Sequence, residues 1–176
     1  MEPDKQDIPA GLVGQRDITV LDDGRIKLPG DIMAELESLT RLEKVLYPGR
    51  IPQVRAIVLC PEEHWDHWQV HLQSQFPLLK THPGAIAYLH PFKPATWDRY
   101  GRVSLPAAAS YYAGIRKGIS AVLIGKGYYL ELWPEEEFKK ALRDCEAALA
   151  KAALRQPSST GRADGGCPRT PGGETR

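Results

Sequence analysis

The residues best equipped for chemistry are Asp98, Arg99 and Arg102, which surround Gly101 and lead into Leu105-Pro106. An aspartate four residues before an arginine, with glycine between them, fits a tight turn across which the carboxylate orients the guanidinium. Arg102 then presents a planar fork of donors suited to phosphate or to a guanine edge. Lys93, Arg99, Arg116 and Lys117 are positioned along the chain to add phosphate contacts, which give affinity and salt dependence without reading bases. A hairpin brace is the plainer use of the same Asp–Arg pair, with glycine and proline as turn punctuation.

Other constellations promise less. His64, His67 and His71 lie on one predicted helix, and His67 with His71 has the spacing that can share a metal, with Cys60 and Glu63 nearby. Histidines on the outward face of a polar helix need no metal, and structural sites use tighter four-ligand motifs. Cys60, at an apolar strand end before Pro61, reads as a buried structural thiol rather than a nucleophile. The chain has no G-x-S-x-G, P-loop, dinucleotide fingerprint or H-E-x-x-H, so neither an enzyme nor a cofactor is expected.

The motif around Arg102 occurs twice. Gly24-Arg25-Ile26-Lys27-Leu28-Pro29 returns as Gly101-Arg102-Val103-Ser104-Leu105-Pro106, 77 residues later. Leu59-Cys60-Pro61-Glu62-Glu63 returns as Leu132-Trp133-Pro134-Glu135-Glu136, 73 residues later. Two motifs in one order at nearly one offset make the chain two copies of a single unit. Arg25 and Lys27 thereby join the candidate residues. A unit of about 70 residues has a thin core alone, so the halves are expected to share a core or the protein to oligomerise.

The elements that position these motifs can be read along the chain. Residues 1–14 read as a polar arm. Ile18 and Val20 alternate as in a strand, Asp22-Asp23-Gly24 turns the chain, and Arg25–Leu28 returns. Asp31 starts a short helix through Leu39. Arg55–Cys60 is a buried strand, and Pro61 opens a helix carrying Trp65, Trp68 and Leu72 at helical spacing, a stripe suited to a core. The second half is expected to repeat this order: a strand at Ala85–Leu89, a turn at Trp97–Gly101, a return strand at Arg102–Leu105 and a helix at Ala107–Ala113. Strands at Ala121–Ile124 and Tyr128–Leu132, then a helix striped by Phe138, Leu142, Cys145 and Leu149, complete it. From Gln156 onward apolar periodicity stops, and a disordered tail is expected.

Charge is uneven. The whole chain is +1, but from Lys80 to Leu130 seven basic residues face one acid, Asp98, for a local +6. The matching stretch from Gly14 to Arg55 has seven of each sign. Two readings fit the excess: a footprint for a polyanion, or a solvated surface balanced by Glu135–Glu137. Three scattered cysteines suit a reduced setting, and neither a signal peptide nor a membrane span is expected.

Asp98-Arg99-Tyr100-Gly101-Arg102 with Leu105-Pro106 resembles the D-x-x-G-R…P signature of the MraZ family. The doubling, Ala113-Gly114-Ile115 after the second proline, and Leu130-Glu131-Leu132-Trp133 before an acidic helix start extend the likeness over roughly residues 15 to 150. The resemblance implies a mainly β, α+β fold of two SpoVT–AbrB-type swapped-hairpin halves forming a double-barrel-like unit. The repeats would span 15–80 and 81–155, between the arm at 1–14 and the tail at 156–176. It implies a cytoplasmic, nucleoid-associated repressor that binds double-stranded promoter DNA of a division and cell-wall gene cluster as a ring-like homo-oligomer, with no membrane or small-molecule substrate. The alternative is a degenerate copy of the fold serving as an oligomerisation or protein-partner module. Two departures matter. The acid expected four residues before Arg25 is Leu21, and Met33 and Ser110 stand where many members carry arginine. The second copy is therefore expected to carry more of the DNA contact than the first.

Overall fold

The computed structural model describes residues 11–40 and 44–155. Its elements recur in one order. The first repeat has β1 (Leu12–Thr19), β2 (Ile26–Lys27), α1 (Gly30–Leu39), β3 (Val45–Arg50), β4 (Ile57–Pro61) and α2 (Trp65–Gln75). After two 3-10 turns and a single helical turn, α3 (Ile86–Leu89), the second has β5 (Ala95–Trp97), β6 (Arg102–Ser104), α4 (Ala107–Ala113), β7 (Ser120–Gly127), β8 (Leu130–Pro134) and α5 (Glu135–Arg155).

The strands of the two repeats interleave. One antiparallel sheet runs β1-β7-β8-β4-β3-β5-β6-β2, and a bridge between Val20 and Ile26 brings β2 back towards the end of β1. The sheet thus nearly closes into a barrel, which leaves little open edge. Each repeat lends its opening strand to the other: β1 pairs with β7 along eight residues, and β5 pairs with β3.

Register shows why the sequence repeats as it does. Ile26 pairs with Val103, its own counterpart 77 residues on, and Val58 pairs with Glu131, its counterpart at an offset of 73. A residue that pairs with its own repeat marks a local two-fold axis, so this axis passes through β2–β6 and through β4–β8. The bridge Val20–Ile26 likewise has its equivalent in the pair Trp97–Val103. The offset falls in two steps: β3 and β7 correspond at 75, after a helix-to-strand stretch two residues longer in the first repeat, and the hairpin pairs Arg50–Ile57 and Gly125–Leu130 enclose 51–56 and 126–129, two residues longer again in the first.

Local chemistry sets the elements. Pro29 and Pro106 precede α1 and α4 and end the strands before them, since proline cannot donate to a ladder. Asp31 sits in the first turn of α1, where the helix dipole favours an acid. Helix α1 buries Ile32 and Leu36; α4 buries Ala109 and Ala113 at the equivalent positions. Gly114, at φ 72, ends α4 in the left-handed conformation that glycine adopts at little cost.

The main core draws on both repeats: Ile26, Ile32, Leu36, Ile57 and Leu59 from the first, Trp97, Val103, Leu123, Leu130 and Leu132 from the second. Each such aliphatic side chain contributes roughly 1.5–3 kcal/mol on burial. A second cluster packs Trp65, Trp68 and Leu72 of α2 against Val58, Cys60 and Tyr128. The helical stripe read from the sequence is therefore core. The ring of Trp68 lies against Gly49, where a Cβ would come within 2.5 Å of it.

Two local expectations change. Residues 85–89 form no strand: Pro83 opens a 3-10 turn that runs into α3, so apolar residues there pack without a ladder partner. Strand β1 begins at Leu12, not beyond residue 14, because Leu12–Gly14 pair with Gly125–Gly127 and Leu12 is fully buried. Gly125 is the reason they fit; a Cβ there would stand 2.4 Å from the Leu12 carbonyl carbon. Described residues up to Leu142 form one compact unit, and those from Arg143 a second. The tail expected at 156–176 lies outside the described residues, as does most of the arm.

Candidate nucleic-acid interface

The two-fold axis through Ile26–Val103 passes between the motif arginines. Both hairpins are built alike. In the first, the Gly24 N–H bonds to the Leu21 carbonyl at 2.9 Å and the Leu21 N–H to the Arg25 carbonyl at 2.8 Å. In the second, Gly101 bonds to Asp98 at 2.9 Å and Asp98 to Arg102 at 3.1 Å. These are three-residue loops closed by a left-handed residue, and glycine supplies it, at φ 80 and φ 74. Ile26 and Val103 point inward and are fully buried. Alternation then turns Arg25, Lys27 and Arg102 outward, with Lys27 directly opposite Arg102.

Asp98 holds the second hairpin. One carboxylate oxygen, Oδ1, accepts the backbone N–H groups of Tyr100 and Arg102, at 2.9 and 3.1 Å. The other, Oδ2, accepts Arg102 Nε at 2.7 Å. The same Oδ2 lies 3.7 Å from Arg25 Nη1, so one carboxylate serves the arginines of both repeats. Partial burial alone would raise its pKa; the hydrogen bonds from Arg102 and Tyr100 outweigh that and hold the carboxyl below its ordinary value.

The first hairpin has a brace of its own. Asp23 Oδ1 accepts the Arg25 N–H at 3.0 Å and Oδ2 accepts Arg25 Nε at 2.7 Å. This carboxyl is also held below its ordinary value, chiefly by the side-chain bond from Arg25. Leu21 occupies the backbone position of Asp98, but Asp23, two residues before its arginine, supplies the same pair of acceptors. The short Asp-Gly-Arg spacing carried that signal, because an Asx turn reaches two residues on.

Tyr100 was absent from the sequence-derived set and is part of the face. It is half exposed, and the guanidinium carbons of Arg99 and Arg102 lie 4.7 and 5.1 Å from its ring centre. Arg99 Nη2 donates to the Tyr100 hydroxyl at 2.6 Å. A tyrosine between two arginines is a cation–π signature that the sequence did offer.

The remaining candidates are not drawn into this cluster. Lys93 and Lys117 are exposed on connections, and among the described residues no hydrogen bond or ion pair ties them to it. Arg116 lines a different surface, a groove it shares with Arg50 and Arg55. His64 and His67 lie against the Tyr128 ring, with centroids 5.8 and 4.8 Å apart, and His71 is exposed. Among the described residues no three His, Cys, Asp or Glu side chains gather as a metal site. Cys60 is buried, and desolvation pushes its thiol pKa far up. No helix among the described residues is long and apolar enough to cross a membrane.

A nearly closed antiparallel barrel with short helices, built from two interleaved ββαββα units, is an AbrB-like α+β double-barrel fold. Residues 93–157, which carry the second hairpin, match the family model described as "MraZ protein, putative antitoxin-like". The chain is also 23% identical over 148 residues to a protein of Treponema denticola named "Transcriptional regulator MraZ", covering 81% of this chain and 94% of that one. The chain is thus similar to MraZ proteins, by its second repeat in the one comparison and along most of its length in the other.

Proposed function

We propose that this protein is a DNA-binding transcriptional regulator that engages DNA through the outward face of β2 and β6. The observation that carries the reading is the convergence of Arg25 and Arg102, one from each repeat, on the carboxylate of Asp98. Braced guanidinium groups lose little freedom on binding and keep donors for phosphate or a guanine edge. Lys27 and Arg99 add positive charge beside them. Lys93 and Lys117 would extend the contact along the backbone. The relative's name, "Transcriptional regulator MraZ", supports the same reading.

On this reading both repeats contact DNA, because Asp23 braces Arg25 much as Asp98 braces Arg102. The target would be the promoter of a division and cell-wall gene cluster, and the effect repression. The protein would act in the cytoplasm at the nucleoid, with several copies in a ring engaging repeated boxes and gaining avidity from weak single contacts.

Fluorescence anisotropy with a labelled promoter fragment, titrated in salt, tests the proposal. Specific binding with a steep salt slope is expected, and Arg25→Ala and Arg102→Ala should each weaken it roughly tenfold. No binding at low salt would sink the reading and leave the fold as an oligomerisation or protein-partner module.

A further inference from the structure

The first repeat has two extra residues in the connection 51–56 between β3 and β4, enclosed by Arg50–Ile57 where Gly125–Leu130 enclose 126–129 in the second. This loop is fixed from the other repeat. The Tyr112 hydroxyl of α4 reaches the carbonyls of Ile51 and Val54, at 3.2 and 3.1 Å. Gln53 within it takes a left-handed conformation, φ 71, the one non-glycine among the described residues to do so. The anchored loop forms one wall of a groove of about 720 Å³, within the size range of small-molecule sites.

The lining is basic and aromatic. Arg50, Arg55 and Arg116 contribute three positive charges, Phe92, Tyr111 and Tyr112 contribute rings, and no acidic residue lines the groove. Among the described residues none of the three arginines makes an ion pair. Arg50 is held by stacking instead: its guanidinium carbon lies 4.7 Å from the Tyr112 ring centre and 5.3 Å from that of Phe92. Its Nε is buried without a hydrogen-bond partner. Glu135, Glu136 and Glu137 line an adjoining groove that shares Arg55 and Arg116. They stop short of ion-pair distance from either arginine, and Lys139 draws Glu135 and Glu136, at 2.6 and 3.6 Å. Tyr111 lies 90% exposed at the rim, an apolar ring surface with nothing stacked on it.

The geometry points to a site for a planar anionic small molecule of the nucleoside phosphate class in the groove between the 51–56 loop and α4. The arginines would take the phosphate, Arg116 and Arg55 from the rim and Arg50 from the stacked wall, and Tyr111 would close over the base. Arginine suits phosphate through its fork of donors, and a base stacks on tyrosine whatever its sequence identity. The site is distinct from the β2–β6 face, since none of Arg25, Asp98 or Arg102 lines the groove.

Isothermal titration calorimetry of the full chain with AMP, inorganic phosphate and adenosine tests it. AMP should bind saturably at or below about 1 mM and at least about tenfold more tightly than either fragment. Arg116→Ala should weaken AMP and phosphate alike by about tenfold, whereas Tyr111→Ala should weaken AMP and leave phosphate unchanged. Both side chains are exposed, so neither change threatens the fold. Arg102→Ala should leave AMP affinity within about twofold, which separates this site from the DNA face. Absence of saturable AMP binding, equal affinity for AMP and phosphate, indifference to both groove variants, or loss in Arg102→Ala would each overturn the assignment.

Discussion

Arg25, in the first repeat, directs Nη1 at Oδ2 of Asp98, in the second, across 3.7 Å. The same oxygen already accepts Arg102 Nε at 2.7 Å. Asp98 therefore couples the two copies of one motif, and its removal should matter in a way that charge counting does not anticipate. Deleting a negative charge from a basic face ought to strengthen non-specific DNA binding. Loss of the brace ought to weaken specific binding. Asp98→Ala should thus lower affinity for the cognate fragment by roughly tenfold while leaving or raising affinity for random DNA. Competition anisotropy with both fragments measures the ratio; a rise in both affinities would remove the bracing role.

Asp23 and Asp98 both carry depressed pKa values, so their pairing stabilises the fold above the pKa they have when unfolded, about 4. That stabilisation is lost as pH falls through the lower folded values. Asp98→Asn should be less stable than the parent at neutral pH, and the difference should shrink progressively below about pH 4. Urea titrations across that range provide the check, and a constant difference would contradict the linkage.

Because the core is shared, the repeats should unfold together. Leu59→Ala, in the first repeat, and Leu132→Ala, in the second, each leave a cavity in the same cluster and should each cost about 2–5 kcal/mol. Both should shift one cooperative transition seen by calorimetry and by circular dichroism. Two separable transitions, each moved by one variant, would mean independent domains.

Gly125 faces the Leu12 backbone with no room for a methyl group. Gly125→Ala should break the β1–β7 pairing locally and destabilise the protein by about 1–3 kcal/mol. Gly30, where an added Cβ meets nothing within 4 Å, is the control: Gly30→Ala should be neutral or slightly stabilising. Thermal denaturation of the pair is sufficient, and equal melting temperatures would refute the close approach.

Thiol chemistry separates two cysteines. Burial raises the Cys60 pKa and shields the sulfur, whereas Cys145 is exposed on α5. In a Cys167→Ser background, a thiol reagent should modify one group in the native protein and two after denaturation. Two fast native groups would show that Cys60 is accessible.

Much of the fold was legible because its signals are local. Asp-Gly and Tyr-Gly turns with alternating apolar neighbours gave both hairpins, and Asp31 and Pro61 marked the starts of the first repeat's helices. The Trp65, Trp68 and Leu72 stripe gave the buried face of α2. Residues 85–89 misled because a short apolar run has no period of its own, and only a missing ladder partner decides against a strand. The site was half legible. Arg102 and Asp98 lie within one hairpin and share a turn, so their spacing announced them. Asp23 announced itself less, because its spacing from Arg25 is two residues where Asp98 stands four from Arg102, although an Asx turn needs only two. The grouping of Arg116 with Arg50 and Arg55 had no sequence signal, since Arg50 and Arg55 belong to the β3–β4 hairpin and Arg116 to the α4–β7 connection some 60 residues on.

The sequence by itself determined that there are two copies of one unit, where each hairpin turns and which strand faces are apolar. These follow from dihedral preference and side-chain alternation, which act over a few residues. Only the tertiary structure decided that the copies exchange strands and meet on a two-fold axis through Ile26–Val103. That choice is made by burying two half-cores against each other, because neither repeat can cover its apolar face alone. With it came the convergence of Arg25 and Arg102 on Asp98, joining residues 77 positions apart in one electrostatic cluster.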